Sequence, residues 1–565
     1  MNKIILTFLI FIVSLSLSAQ KLSVSYHFSD SIINPNFYKI FKKETIKDSL
    51  SLYSYLKTCV LLAQEKGFLE VSVDSVRFKE QQSDIYIYIG QFYKYIKISY
   101  DSRYENILLQ VHSKYLSANF IQSNLIESEN RKIIRYLENN AYPFAQVKLD
   151  SISIEMGAIQ AFLDIERGEK TLYDSVKIVG NLKISKSFLY GYLGVKPQGF
   201  YNDTKIKNIQ KNLNDLPFAH QSQKTNISYR NKKVNVYIPV NSKKNNQFDG
   251  VLGILPNDKT TGKTLLTGEL NIFLQNMLRS AEELSFKWQK LESSSQKLLS
   301  HFKIPYIFNT KLGLSASLDL LKQDSTYLNS TLGAGTQFYF KGQNNVGLHY
   351  RSQSSSILSK DTILRRQFKA YHINSTGLSF NYRQLDYIFN PHRGVDISIK
   401  TNIGKKELDE KQNGTNSLIQ YDALIGLKYF IPIKQKHTIA LSNQTAFLMS
   451  ESLYLNELYR IGGLKSLRGF TESSIYASSY SIVNIEYRFI FEKNSAIFTF
   501  FDQAWYEKKI EGESYYYDYP FGFGFGLFFK TKAGIFTISY AMGQQRNENI
   551  NIKNAKIHFG FINRF

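Results

Sequence analysis

The rhythm of apolar and polar positions changes near Phe248. Upstream, from about Lys21 to Lys244, stretches with helical spacing alternate with strand-like ones; downstream the chain is strand-like almost throughout. In the downstream half, apolar residues recur at every second position. Phe521, Phe523, Phe525, Leu527 and Phe529 alternate with Gly522, Gly524, Gly526 and Phe528, and Val483, Ile485, Tyr487 and Phe489 alternate with Asn484, Glu486 and Arg488. Segments of about ten residues, apolar on one face and polar on the other, are the pattern of a transmembrane antiparallel β-barrel. Hydrocarbon offers the backbone no hydrogen-bonding partner, so such strands must close on one another. The spacing predicts about sixteen strands, an even number, in a barrel over 245–565.

The upstream half reads as three copies of one α+β unit, of order β-α-α-β-β and a period of about 70–80 residues. The third, 170–244, is clearest: a strand Tyr173–Asn181, a helix Ser185–Leu193 with Ser185 as its N-cap, and a helix Asn202–Leu213. Ile206, Ile209 and Leu213 share one face of that second helix, and strands Gln223–Tyr229 and Lys233–Val240 follow. The second copy, 92–169, has a first strand Tyr95–Tyr100, a helix Glu127–Asn139 and a hairpin of Pro143–Ile154 with Gln160–Glu166. The first, 20–91, is degenerate: it keeps a helix Lys47–Glu65 and strands Val71–Phe78 and Ile85–Ile89.

Composition sharpens this picture. Met1-Asn2-Lys3, the apolar run Ile4–Leu17 and the small residues Ser18 and Ala19 have the layout of a secretory signal over 1–19. No later run approaches the ~20 apolar residues of a spanning helix. Aromatic residues make up 15% of the chain, with 39 Tyr and 41 Phe, which favours a barrel over a periplasmic sandwich. The net charge of +23 is spread through the chain without a basic recognition helix, so no nucleic-acid partner is expected. Cys59 is the single cysteine and cannot form an internal disulfide. The nine His form no HxxxH or HExxH pattern, and no metal or other cofactor is expected. Gly262-Lys263-Thr264 lacks the first glycine of a phosphate loop, and Gly522-x-Gly524-x-Gly526 is strand alternation rather than a dinucleotide turn. Without a Gly-x-Ser-x-Gly elbow either, nothing points to an enzyme.

The candidate chemistry lies in a connection of roughly thirty residues that contains Tyr459-Arg460-Ile461-Gly462-Gly463-Leu464-Lys465-Ser466-Leu467-Arg468-Gly469-Phe470. Its glycines permit a tight turn with Arg468 at the tip. A guanidinium inside a barrel needs carboxylates, best met in fork geometry. Glu486 and Asp502 are the candidates: Phe500, Asp502 and Ala504 share the inward side of their strand, and Ile497, Phe501 and Trp505 the lipid side.

Gly462-Gly463, Leu467-Arg468-Gly469-Phe470 and Phe500-x-Asp502 resemble the two hallmark motifs of the BamA/TamA outer-membrane insertase superfamily, and the three α+β units resemble its periplasmic POTRA domains. By length and module count the chain is closer to the TamA branch. The resemblance implies that Arg468 enters the lumen and meets Phe500 and Asp502, with Glu486 as a further partner. It also implies a lateral seam between the first and last strands, at Gly250, Gly253, Gly560 and the terminal Phe565. Ala504 stands where the family usually has Gly, and a methyl there would narrow the space beside the loop. The function implied is nucleotide-independent insertion of outer-membrane proteins, or help in their translocation. The partners implied are unfolded barrel clients, periplasmic chaperones or accessory lipoproteins, and outer-membrane lipid or lipopolysaccharide. A two-partner-secretion transporter, expected to carry two modules and a plug helix, and a passive pore are the alternatives.

Overall fold

Hydrogen bonding sorts the strands into one large antiparallel sheet and several small ones, as the change of rhythm requires. The computed structural model describes residues 22–29, 37, 39–42, 45–79, 82–116, 120–155, 158–221, 223–255, 265–290, 295–359, 367–388, 390–408, 417–531, 534–546, 550, 552 and 555–562. The expected leader over 1–19, Gly262-Lys263-Thr264 and Phe565 lie outside these residues. The chain divides into two compact units. One is Met1–Asp174 with Gln198–Thr204 and Ser228–Asn235, the other Ser175–Pro197 with Lys205–Ile227 and Val236–Phe565.

In the first unit two small sheets share a plan. One has the order Thr45–Ile46, Leu22–Phe28, Gln82–Tyr88, Ser72–Phe78, with Leu22–Phe28 parallel to Gln82–Tyr88. Its helix Ser49–Glu65 is capped by the Asp48 carboxylate, which accepts from the Ser51 amide at 2.7 Å. Leu52, Leu56, Cys59 and Ala63 of that helix share a core with Ile85 and Ile87. The other sheet has the order Phe120–Gln122, Tyr95–Tyr100, Ala158–Glu166, Gln146–Glu155, again with a central parallel pair. Its helix starts at Ser123, not Glu127 as the pattern suggests. Ser123 is buried and donates to the Tyr93 carbonyl, so a polar residue that reads as loop lies inside the fold.

A third small sheet has the order Asn226–Arg230, Lys233–Pro239, Leu172–Val179. Between its strands lie helices Lys186–Leu193, capped by Ser185, and Asp203–Asn214, with Ile206, Ile209 and Leu213 buried as spaced. Within the second unit, the former helix meets the turns of the large sheet. The Ser187 hydroxyl accepts from the Asn309 amide at 2.9 Å, and Phe188 and Tyr192 present their rings to Tyr306.

The large sheet contains seventeen strands, from Gln247–Leu255 to Lys556–Ile562. The expectation was about sixteen. The additional element is the three-residue strand Tyr516–Asp518, which pairs with Ser495–Lys508 just as Phe521–Lys530 does. Pro520 has no amide to donate and interrupts the ladder between the two pieces. Alternation sets the faces as expected. Val483, Ile485 and Tyr487 are exposed on the outside at 42–45%, while Phe500, Asp502 and Ala504 are buried on the inside. Register places Asn484 opposite Asp502 and Glu486 opposite Phe500. Among the described residues no helix is long and apolar enough to cross a membrane; most strands of the large sheet reach the ~9–11 residues that a tilted spanning strand needs, whereas Glu283–Lys290, Tyr516–Asp518 and Lys556–Ile562 are shorter.

Candidate functional site

The connection from His437–Met449 to Ser479–Glu492 covers residues 450–478. Within it, Tyr459–Ile461 pairs with Ile475–Ala477, and the segment between them turns back on itself. Gly462, Gly463 and Gly469 have φ of 110°, 100° and 90°, a region that side-chain-bearing residues rarely adopt. The Gly463 amide donates to the Leu467 carbonyl at 2.9 Å and the Gly462 amide to the Ser466 hydroxyl at 3.0 Å, closing the turn. Leu467 and Phe470 are then buried with Ile461, Ile475, Ile482, Ala504 and Tyr506, which seats the turn against the wall.

Arg468 projects from that seat into a cluster of charge. Its Nε donates to Asp502 Oδ2 at 2.7 Å, its Nη2 to Asp502 Oδ1, and its backbone amide to Asp502 Oδ2 at 3.1 Å. Nη1 donates to Glu486 Oε1 at 2.5 Å. Glu486 Oε2 accepts from Arg488 Nε at 2.8 Å, so two guanidiniums face two carboxylates and the cluster is neutral. The guanidinium carbon lies 3.7 Å from the centre of the Phe500 ring, a close cation–π contact. The side chains of Arg468 and Asp502 are 7% and 0% exposed, so the pair is desolvated and both fork bonds are needed to offset that cost. The structure thus brings together Gly462, Gly463, Leu467, Arg468, Gly469, Phe470, Glu486, Phe500 and Asp502.

Several participants were not expected at this site from the sequence. A Cβ at Gly522 would strike the Arg468 carbonyl and one at Gly526 the Phe498 ring, while one at Gly524 would strike the Tyr540 carbonyl and press on the Phe500 ring. The inward glycines of that strand are a mould of what lies against them, and their period of two opposite Phe500 and Asp502 was the available signal. Gly469 lies against the backbone at Met542 and Gly543, and its amide donates to His558 Nε2 at 3.3 Å. Asn484 holds the Ser466 carbonyl at 3.1 Å and Gln444 the Lys465 carbonyl at 3.2 Å. The methyl of Ala504, expected to crowd the loop, is packed in the apolar cluster with Leu467 and Phe470.

The residues expected at a seam fall on the first and last strands of the large sheet. Gly250 and Gly253 sit in the first strand of the sheet, opposite Leu270 and Thr267. Gly560, in the last strand, lies opposite Thr537, and a Cβ there would meet Leu464 of the loop at 3.3 Å. Among the described residues no group of three or more His, Cys, Asp or Glu is placed to hold a metal.

A family model described as the Omp85 superfamily domain matches residues 276–565, and a POTRA model, described as a surface antigen variable number repeat, matches 172–243. No curated protein matches the sequence. Among solved structures, CdiB from Acinetobacter baumannii aligns with TM-score 0.55 at 12% identity, over 95% of this chain and 100% of that one. CdiB from Escherichia coli aligns with TM-score 0.54 at 11% identity over the same shares. BamA from Haemophilus ducreyi lacking POTRA domains 1–3 aligns with TM-score 0.44 at 16% identity, over 83% of this chain and 99% of that one. At such identities the CdiB alignments speak for the fold alone.

Proposed function

The chain belongs to the Omp85 superfamily, an outer-membrane barrel with a periplasmic POTRA module, and from that premise we propose that it inserts other outer-membrane β-barrels or assists their translocation, without nucleotide hydrolysis. The observation that carries this reading is the Arg468 fork on Asp502 and Glu486. A loop pinned inside the lumen by a desolvated, neutral charge cluster suits a barrel that works through its wall and its loop rather than as an open passive channel. Arg468, Glu486, Phe500 and Asp502 act as the loop lock, and the glycines around them give it room.

In this reading all three α+β units, 20–91, 92–169 and 170–244, are POTRA-like modules behind a cleaved leader over 1–19. Ser72–Phe78 and Asn226–Arg230 are edge strands of their sheets, and the latter is exposed along its length. An unpaired edge supplies an unfolded client with the backbone hydrogen bonds that hydrocarbon cannot. The seam at Gly250, Gly253, Gly560 and Phe565 offers the same chemistry within the membrane. Clients are unfolded outer-membrane polypeptides, delivered by periplasmic chaperones or accessory lipoproteins into a lipid or lipopolysaccharide surround. Three such modules, in this reading, favour the TamA branch.

The test is the folding of a urea-denatured barrel client into liposomes that hold the purified protein, against empty liposomes. The expected result is faster client folding that is lost in Arg468→Ala. No acceleration for several clients, with clear ion conductance, would instead support a secretion transporter for one dedicated client, or a pore.

A further inference from the structure

The long connection is held to the barrel at a second place, away from Arg468. Short turns such as the one between Glu492 and Ser495 lie at the end of the sheet where Gln247 enters from the modules; the 450–478 connection leaves from the other end, which is extracellular in an Omp85 barrel. The root of the connection lies at that mouth. Lys406, two residues before the end of Gly394–Leu408, donates through Nζ to Glu457 Oε1 at 2.6 Å and to the Ser452 carbonyl at 2.7 Å. The two side chains are 0% and 1% exposed. The ammonium lies 5.3 Å from the Tyr454 ring, and the Tyr454 amide donates to Glu457 Oε1 at 3.0 Å. Asn456 donates to the Ser355 hydroxyl at 2.7 Å and the Lys369 carbonyl at 2.8 Å, and its own carbonyl accepts from Asn329 at 2.7 Å.

These partners stand on a different group of strands from the Arg468 cluster. Asn329, Ser355 and Lys406 come from Tyr327–Lys341, Asn344–Ile357 and Gly394–Leu408, each near its outer end. Arg468 is held by Ser479–Glu492 and Ser495–Lys508, several residues deeper along the strands. A segment fixed at one end can swing about it; fixed at both, it is a crossbar. A buried ion pair adds little net stability over apolar residues of the same volume, but only one register brings the two charges together, so it specifies position.

We propose that Lys406, Glu457 and Asn456 form a mouth latch that holds the root of the loop across the extracellular opening, so that the lumen stays shut to the outside independently of the Arg468 lock. Lys406 is a positioning residue in this device. The latch rests on the barrel's placement in the outer membrane, not on which client it serves.

The test is planar-bilayer recording of the purified full chain without any client, reading the fraction of time a channel is open. Lys406→Ala and Glu457→Ala each raise the open fraction about tenfold or more, because each strands a buried charge. The exchange Lys406→Glu with Glu457→Lys restores closure to within about twofold of wild type, which a merely structural site would not do. Asn456→Ala, which strands no charge, raises the open fraction in the same direction. Lys405→Ala, at the exposed Lys405–Glu407 pair one residue away, stays at the wild-type level. Wild-type closure in the single variants overturns the latch, and so does an exchanged pair as open as the singles. If the single-charge variants do not reach the folded form, read as a gel-mobility shift on boiling, Asn456→Ala decides: closure at the wild-type level overturns the proposal. Because no client is present, a failure of the client-folding assay leaves this result untouched.

Discussion

Arg468→Ala tests the loop lock most directly. Among the described residues, every hydrogen bond to the Asp502 carboxylate comes from Arg468: two from the guanidinium and one from the backbone amide. The substitution leaves Asp502, fully buried, with the amide alone, whereas Glu486 keeps Arg488 at 2.6 Å. Removing one partner of a buried pair costs about 3–5 kcal/mol. The retained Arg488–Glu486 contact argues for the lower end of that range. The Phe500 contact is part of the same loss and does not add to it. A cost of ~3 kcal/mol raises the undocked population of the loop about a hundredfold, at about 1.4 kcal/mol per decade. Limited trypsin cleavage after Lys465 reads that population in the detergent-folded protein. When opening is fast relative to cutting, cleavage tracks the open fraction. In the docked loop the Lys465 and Ser466 carbonyls are held by Gln444 and Asn484, which protects the bond. Arg468→Lys falls between wild type and Ala, since an ammonium cannot reproduce the fork. A cleavage rate in Arg468→Ala within about twofold of wild type would refute the reasoning, given the ~3 kcal/mol expected from a broken buried pair.

Three further outcomes are expected. Gly522→Ala places a methyl against the Arg468 carbonyl and costs about 1–3 kcal/mol of loop docking, so cleavage after Lys465 rises although every charge in the cluster is intact. Tyr306→Ala removes a ring stacked 4.8 Å from Tyr339 and set edge-on to Phe188 and Tyr192, at an expected cost of ~3–5 kcal/mol. It shows as faster amide exchange in Lys186–Leu193. Glu129 carries a pH dependence: burial pushes its pKa up, but Lys132, the Lys114 amide and the Ser113 hydroxyl outweigh burial and hold it below its ordinary 4.5. A depressed acid stabilises the fold above its unfolded value and loses that contribution as pH falls through the folded one. The urea midpoint of the module transition therefore drops in wild type as pH falls below 4.5. In Glu129→Gln it is already lower at pH 5.5, by about 1–3 kcal/mol of stability, and responds less to acid.

What the sequence discloses depends on whether a period underlies it. Barrel strands and module helices have periods of two and 3.6, and residues such as Ile485 and Leu213 take the faces their spacing assigns. The Arg468 cluster was legible because its parts stand in recognisable motifs on either side of one loop. The Lys406–Glu457 pair was not. Its members are 51 residues apart, on a strand and in the short 3-10 helix Leu455–Glu457, with no local pattern to link them. Ser123 and the break at Pro520 were missed for a related reason. A buried serine is polar by composition, and a proline that splits a strand into two pieces looks from outside like a turn between two strands.

The chemistry of the two fixings bears on how the loop can move. The apolar seat of Leu467 and Phe470 on the wall gains from every surface it covers and yields to no specific competitor. Charges behave differently, because each can be rehydrated or offered another partner. Beside Arg468 lies a cavity of about 280 Å³ whose lining includes Lys428, Lys465, Asp396 and Arg488, so ionic groups surround the fork as well as compose it. An ion pair in such a setting fixes geometry strongly while contributing modest net stability. Its separation therefore costs least where replacement charges stand nearby, as at Arg468. At Lys406 the wall is aromatic and closed, with Tyr371 and Tyr454 about the ammonium and no exposure on either partner. The two fixings are thus unequal: ionic groups surround the tip of the loop, and aromatic rings close about its root at the mouth.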